Sequence, residues 1–241
     1  MPRAPLSLLC LLLVMLLPPQ ARADDDADLM KACPGLAAWA ATHPHHDDEA
    51  DERDAGRTLA DPALRAELDR RASLDQDARN ALIADEGKDP TLSDRLMAVD
   101  ADNLAWLKDV VKRHGFPTVP AVGEQGVSNA WLLAQHADRD PAFQTTVLEL
   151  LQPRLADGSV RKSDVAMLTD RVLRAQGKPQ RYGTQFDSAD DGSLVQGVTE
   201  DPEHVEQRRA AMDLMPLPTY RCVLQASYGV PVKPTPPPRR P

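Results

Sequence analysis

The sequence predicts a mainly α-helical fold, and two observations carry that prediction. Apolar residues recur three and four positions apart along most of the chain, which is the period of a helix buried on one face. Asp-Pro pairs at Asp61, Asp89 and Asp140 place a capping side chain and a helix-starting proline at the beginning of such segments. We therefore expect a single helical domain over residues 61–228, with about seven helices and one β-hairpin.

The first helices follow directly from these signals. Leu64, Leu68 and Ala72 share one helical face, and a second helix is expected through Ala78 and Leu82. A long amphipathic helix then starts after Asp89 and ends at Gly115, where glycine suits a left-handed cap. The next predicted helix runs from Gly123 to Asp138, and two more follow, from Asp140 and from Ser163.

The period of the pattern changes from helix to strand at Arg181. Tyr182, Thr184 and Phe186 alternate with polar residues, Asp191-Gly192 forms a turn, and a return strand is expected to end at Thr199. This predicts a β-hairpin over residues 181–199. Asp201-Pro202 starts a last clear helix, and residues 229–241 read as a proline-rich disordered tail.

The N-terminal residues resemble an export signal. Leu6 to Leu17 is an unbroken apolar run that ends at two prolines, and Ala21-Arg22-Ala23 has the form of a signal-peptidase site. Residues 1–23 are therefore predicted to be a signal peptide, and the protein to be periplasmic or secreted. Residues 24–60 are expected to form an N-terminal helix and an acidic linker, in which the stretch His43 to Glu49 is read as solvated rather than as a metal site.

Charge and motifs exclude several classes of function. The chain carries 28 basic and 37 acidic residues, for a net charge of −9, so it lacks the basic footprint that nucleic acid requires. No later segment is apolar enough for stable membrane insertion after signal cleavage. No phosphate-binding loop or metal-ligand motif is present, and we expect no cofactor and no metal.

Two cysteines remain after the predicted cleavage, Cys33 and Cys222. In an oxidising compartment a pair of cysteines is expected to form a disulfide, although two buried thiols are the alternative. The bridge would tie the first helix to the last ordered segment of the chain.

His136 is the most suggestive candidate for chemistry. It lies near the end of the Gly123 helix, where it could act as a general acid or base. Asp138, two residues on, does not face it within one helix, so Asp170 is chosen as the carboxylate that would orient His136. A half-buried histidine bonded to a backbone carbonyl is the structural alternative.

Further polar candidates lie around the predicted hairpin. Arg171 offers a fork for a carboxylate or phosphate, or else a structural ion pair. Gln185 offers an amide that both donates and accepts, although a hydrogen bond to a neighbouring loop is the structural alternative. Gln180 falls on the opposite face of the same strand, and Tyr182 is expected to pack inward. With Asp138, these residues form the predicted ligand-binding set.

Several segments together resemble a bacterial family of unknown function. They are Trp131 to Asp138 (WLLAQHAD), Leu168 to Arg171 (LTDR), Pro179 to Gln185 (PQRYGTQ), Asn103-x-x-Trp106-Leu107, His114 to Pro117, and Asp201-Pro202 with Arg208-Arg209. The resemblance covers roughly residues 64–220. It implies that these residues belong to one site, but it carries no activity.

Two classes of function follow from the sequence. The first is a ligand-binding or interaction domain of the cell envelope, with a small ligand or an envelope protein as partner. The second is a hydrolase or transferase that uses His136 as general base, with water or a substrate hydroxyl as nucleophile. The sequence does not decide whether the protein is an enzyme.

Overall fold

The structure is a computed structural model that describes residues 27–43, 50, 53–85 and 87–235. The predicted signal peptide, most of the His43 to Glu49 stretch and the last part of the proline-rich tail lie outside the described residues.

The prediction of a mainly α-helical fold is confirmed. The helices are α1 (Pro34–Ala40), α2 (Pro62–Ala84), α3 (Pro90–His114), α4 (Val119–Gln135), α5 (Pro141–Leu151), α6 (Lys162–Ala175), α7 (Val205–Ala211) and α8 (Leu217–Tyr228). The strands are β1 (Phe186–Ser188), β2 (Leu194–Gln196) and β3 (Val232–Lys233). Within the described part of the chain, no helix combines the length and apolar character needed to cross a membrane.

The described residues divide into two compact units, although the sequence predicts one domain. The helical unit comprises residue 50 and residues 53–168, and the mixed unit comprises residues 27–43 and 169–235. The division falls within α6, between Leu168 and Thr169.

The helical unit is built on α2, which packs against α3 and α4, while α4 also packs against α5. Its fully buried apolar side chains include Leu68, Leu107, Val122, Ala130, Leu133, Val147 and Leu151. The sequence analysis divided α2 into two helices, and that prediction is wrong. No glycine or proline lies between Ala72 and Ala78, so nothing in the backbone interrupts the hydrogen bonds of the helix.

The three Asp-Pro helix starts are confirmed. Asp61 accepts a hydrogen bond from Leu64 N at 2.9 Å, and Asp140 accepts one from Phe143 N at 3.0 Å. Asp89 likewise caps α3. Each carboxylate satisfies an amide that has no partner inside its own helix, so the short Asp-Pro signal fixes where these helices begin.

Helix α4 has a different kind of start. At Gly123 the backbone leaves the helical conformation, with φ 77° and ψ 174°, and the amides of Glu124 and Gln125 donate to the carboxylate of Asp54 at 3.0 and 3.1 Å. A Cβ atom on Gly123 would lie 2.3 Å from Asp54 Oδ2, so this position requires glycine. Asp54 lies in the segment predicted to be a solvated linker, but it caps a helix about 70 residues further along the chain, and Arg65 pairs with it at 2.8 Å.

The mixed unit contains a small three-stranded sheet. Strand β1 pairs antiparallel with β2, so that Phe186 faces Gln196, and β2 pairs in parallel with β3, so that Leu194 faces Val232. The predicted hairpin is confirmed at its turn but is shorter than expected. Residues 181–185 form a loop rather than a strand, and β3 lies at the start of the segment predicted to be a disordered tail.

The apolar core of the mixed unit includes a helix that the sequence analysis missed. Phe186, Val205, Leu217, Tyr220 and Leu224 are buried together, and three of these five side chains belong to α8. Their spacing of three and four residues is helical, but two prolines near the start of the segment obscured the pattern. Within this unit the predicted disulfide between Cys33 and Cys222 is present.

The capping role of Asp54 can be tested by mutation. Asp54→Ala removes two hydrogen bonds from the start of α4 and the ion pairs with Arg57 and Arg65, so it should reduce the free energy of unfolding by about 2 kcal/mol. At this size that corresponds to a fall of about 4–8 °C in melting temperature.

The matched control for Asp54→Ala is Asp109→Ala. Asp109 forms an exposed ion pair with Arg113 within α3, and this change should lower stability by less than about 0.5 kcal/mol. Equal effects of the two substitutions would contradict the capping role.

Candidate functional site

The predicted site residues occur in both units. His136 and Asp138 belong to the helical unit, whereas Asp170, Arg171, Gln180, Tyr182 and Gln185 belong to the mixed unit. The contacts within each unit show what these side chains can do.

In the mixed unit, Asp170 organises the loop that replaces the first part of the predicted strand. Its carboxylate accepts hydrogen bonds from the amides of Arg181, Tyr182 and Thr184 at 2.7, 3.0 and 2.9 Å, and from Thr184 Oγ1 at 2.9 Å. Burial raises the pKa of Asp170, and these hydrogen bonds oppose the rise. Because the carboxylate binds three of the four amides from Arg181 to Thr184, residues 181–185 form a loop instead of an extended strand.

The side chain of Gln180 bonds to the backbone of Gln185, and the side chain of Gln185 bonds to Thr184. Gln180 Nε2 donates to Gln185 O at 2.9 Å, and Gln180 Oε1 accepts from Gln185 N at 2.7 Å. Gln185 Nε2 donates to Thr184 Oγ1 at 3.1 Å. Gly197 is required beside them, because a Cβ atom there would lie 2.4 Å from Gln180 Nε2. Gln180 thus closes the loop through both of its amide atoms.

Two arginines of α7 fasten the same loop. Arg209, which is buried, donates to Tyr182 O and to Met215 O, each at 2.8 Å. Arg208 donates to Arg181 O at 2.8 Å. The side chain of Tyr182 is half-buried and that of Arg171 is buried. The Arg208-Arg209 pair therefore acts through backbone carbonyls.

In the helical unit, His136 is the C-cap of α4 and is buried. Its Nδ1 lies 2.9 Å from Asp75 Oδ2 and 3.0 Å from Asp75 Oδ1. The carboxylate beside His136 within the helical unit is therefore Asp75 on α2. Asp170, the orienting carboxylate predicted from the sequence, belongs to the mixed unit. A hydrogen on Nδ1 that points to Asp75 leaves Nε2 as the basic nitrogen of the neutral ring.

Asp75 also binds a fully buried cation. Arg79 Nε donates to Asp75 Oδ2 at 3.1 Å and lies 3.0 Å from His136 Nδ1, and Arg79 Nη2 donates to Asp100 Oδ1 at 2.5 Å. The exposed fraction of the side chain is 0% for Arg79 and 1% for Asp75. This arrangement joins α2, α3 and the end of α4 through charged groups in the interior of the helical unit.

The two carboxylates differ in their pKa. Burial by itself would raise the pKa of Asp75, but His136 and Arg79 outweigh that effect and hold it well below its ordinary value. Burial raises the pKa of Asp100 to about 7. Arg79 opposes this rise, but repulsion from Asp75 and Asp138 adds to it. One carboxylate is therefore a permanent anion, and the other can hold a proton near neutral pH.

Several buried polar atoms of the helical unit have no hydrogen-bond partner among the described residues. They are Gln76 Oε1, Arg79 Nη1, Asn103 Nδ2, Gln135 Oε1 and Nε2, and Gln144 Oε1. We call Asp75, Gln76, Arg79, Asp100, Gln135 and His136 the polar centre, and Asn103 and Gln144 its flanking amides. Native proteins leave few such atoms unpaired, so this concentration in one unit requires an explanation.

Asp138 contacts the polar centre through a flanking amide. Gln144 Nε2 donates to Asp138 Oδ1 at 3.2 Å and to the carbonyl of Gln135 at 2.9 Å. In the ranges that the structure describes, no group of three or more histidine, cysteine, aspartate or glutamate side chains is placed to hold a metal ion.

The sequence analysis missed Asp75, Arg79 and Asp100. The signal was present, because Asp75 and Arg79 continue the buried stripe of α2 that begins with Leu68 and Ala72, at spacings of three and four residues. A charged pair in the buried stripe of a helix must be compensated in the interior. Because this segment was predicted to be two helices, its continuous buried stripe was not recognised.

The fold and contacts define an α-helical protein with a buried ionic and amide centre. The chain belongs to DUF6624, a family of unknown function, whose sequence profile matches residues 62–233. This confirms the predicted membership of a family without known activity. Neither a curated protein nor a solved structure matches the chain.

The raised pKa of Asp100 predicts a specific dependence of stability on pH. The ordinary pKa is 3.8 and the folded value is about 7, so between these values the folded protein holds a proton that the unfolded chain releases. Stability from this group should therefore fall as pH rises from about 4 to 7. Asp100→Asn cannot ionise and should remove this part of the decline in a urea unfolding series.

Asp102→Asn is the control for the pH experiment, because Asp102 lies on the same helix with a side chain that is 73% exposed. The decline should persist in this variant. An Asp100→Asn protein with the same pH profile as the parent would contradict the assignment.

Proposed function

We propose that the protein is a ligand-binding domain whose site is the polar centre of the helical unit. The proposal rests on one observation, which concerns the Nη1 atom of the fully buried Arg79 side chain. Arg79 binds carboxylates through Nε and Nη2, whereas its Nη1 has no hydrogen-bond partner among the described residues. A ligand that accepts a hydrogen bond there supplies the missing partner.

The energetics of the centre favour a functional over a structural role. A buried ion pair is a weak source of stability, because desolvation of the charges offsets their attraction. An unpaired buried polar atom lowers stability by about 1–3 kcal/mol. Side chains kept at such a cost are typical of binding and catalytic sites.

Candidate contacts in the mixed unit are a separate part of the proposal. Tyr182 and Arg171 are proposed to contact a ligand or an envelope-protein partner. Gln180 is assigned to the closure of its loop, since both of its amide atoms bond to Gln185.

We also propose that the protein is exported. The disulfide supports this, because disulfides persist in oxidising compartments and are rare in the cytosol. The sequence also supports it, because the apolar run from Leu6 to Leu17 and the Ala21-Arg22-Ala23 segment have the form of a signal peptide.

A hydrolase or transferase that uses His136 as general base is the second candidate. The contact between His136 and Asp75 favours it, because a ring hydrogen on Nδ1 that points to the carboxylate leaves Nε2 able to accept a proton. Measurement of turnover distinguishes the binding function from the catalytic function. A ligand recovered unchanged after prolonged incubation indicates binding, and its conversion with loss of activity in His136→Asn indicates catalysis.

Two buried glutamines allow a matched test of the proposed site. Gln135 and Gln180 are 0% and 1% exposed, but the amide of Gln135 has no hydrogen-bond partner among the described residues, whereas both amide atoms of Gln180 are bonded. Gln135→Leu removes unsatisfied groups and should raise the melting temperature by about 2–6 °C. Gln180→Leu leaves the buried amide of Gln185 unpaired and removes one of the two hydrogen bonds to Gln185 O, the other coming from Gly197 N, so it should lower the melting temperature by about 6 °C.

A loss of stability in Gln135→Leu as large as that in Gln180→Leu would show that Gln135 serves the fold, and the proposed site would fall. Differential scanning calorimetry of the parent and both variants measures the contrast directly.

A further inference from the structure

For two side-chain amides of the helical unit, the hydrogen bond that each makes shows whether its oxygen or its nitrogen is the unpaired atom. Gln76 Nε2 donates to Asp75 Oδ2 at 2.8 Å, so the unpaired atom of Gln76 is the acceptor Oε1. Asn103 Oδ1 accepts from Arg71 Nη1 at 3.0 Å, so the unpaired atom of Asn103 is the donor Nδ2. These assignments rest on donors and acceptors that cannot exchange roles.

The remaining groups complete a balanced set. Gln144 Nε2 donates to backbone carbonyls, which leaves Oε1 as its unpaired acceptor, and Gln135 contributes one donor and one acceptor. Arg79 Nη1 is a further donor. Among the amide and guanidinium groups described in the helical unit, three donor atoms and three acceptor atoms are thus unpaired. A matching ligand must both accept and donate hydrogen bonds.

The charges of the polar centre restrict the ligand further. The guanidinium of Arg79 is already met by two carboxylates, those of Asp75 and Asp100. An anionic ligand would therefore be buried beside two carboxylates, and a cationic ligand beside a guanidinium. A buried charge that lacks compensation is strongly unfavourable.

We propose that the polar centre binds an uncharged ligand through an amide group. The inference rests on the proposed binding function and deepens it by naming the ligand class. The carbonyl oxygen of the amide accepts from Arg79 Nη1 and the neighbouring amide donors, and its N–H donates to the glutamine oxygens. An amide supplies both roles in one planar group without a net charge.

Three probes of the same size and shape test this class. Acetamide is neutral, acetate is an anion and acetamidinium is a cation, and each is titrated into the isotopically labelled protein at constant ionic strength. The side-chain NMR signals of Gln135 and Arg79 report on the site. Acetamide should shift them with a dissociation constant in the millimolar range, at least about tenfold below those of the two ions.

The outcomes separate the ligand class from the proposed function. Tighter binding of acetate or acetamidinium at the same signals would overturn the neutral class and leave the binding site in place. Failure of all three probes to shift these signals would overturn the inference, and the calorimetric contrast between Gln135 and Gln180 would then decide the proposed function alone.

Two variants control the titration. Gln135→Leu removes one donor and one acceptor from the centre and should weaken the acetamide response at the Arg79 signal about tenfold or more. Asp109→Ala changes only an exposed ion pair of α3 and should leave the response unchanged. An acetamide response that survives intact in Gln135→Leu would contradict an amide site at the polar centre.

Discussion

The burial of one positive charge constrains the helical unit more than any other interaction. The Arg79 side chain is fully removed from solvent, so its positive charge must be compensated inside the unit. Asp75, one turn earlier on α2, supplies the negative charge, and Asp100 on α3 accepts a hydrogen bond from the same guanidinium. His136 then meets the Asp75 carboxylate from the end of α4. One buried charge thus determines which polar groups three helices bring together.

The two units illustrate opposite uses of buried polar groups. In the mixed unit, Asp170 and Gln180 have their hydrogen bonds directed to the backbone of residues 181–185, so these side chains determine the shape of a loop. In the helical unit, charged groups are paired, but amide atoms around them are not paired within the described part of the chain. The first pattern is that of a structural network, and the second supports the proposal that another molecule binds in the helical unit.

Much of the helical framework could be predicted from the sequence, because Asp-Pro starts and apolar periodicity are local signals. Asp61 and Asp140 cap the helices that their sequence indicates. The cap of α4 could not be predicted in this way, because Asp54 reaches it from a segment about 70 residues away. His136 was found from the sequence as a suspicious residue, but its partner Asp75 was not, since sequence distance gives no measure of which carboxylate a fold brings to a histidine. The loop at residues 181–185 was mistaken for a strand because alternation along the chain does not reveal that Asp170 binds the amides.

The most direct test of the account is a comparison of unfolding free energies for Asp75→Leu, Arg79→Met and the double variant. Each single change separates a buried charge from its ion-pair partner, leaving Arg79 with Asp100 alone or Asp75 with His136 alone, and should lower stability by about 3 kcal/mol. The double change removes both charges, so it should lower stability by less than either single change, and it should abolish ligand binding. That result would show that the pair is retained for function. A double variant that loses the sum of the two single effects would show that the charges hold the fold together and would contradict the account.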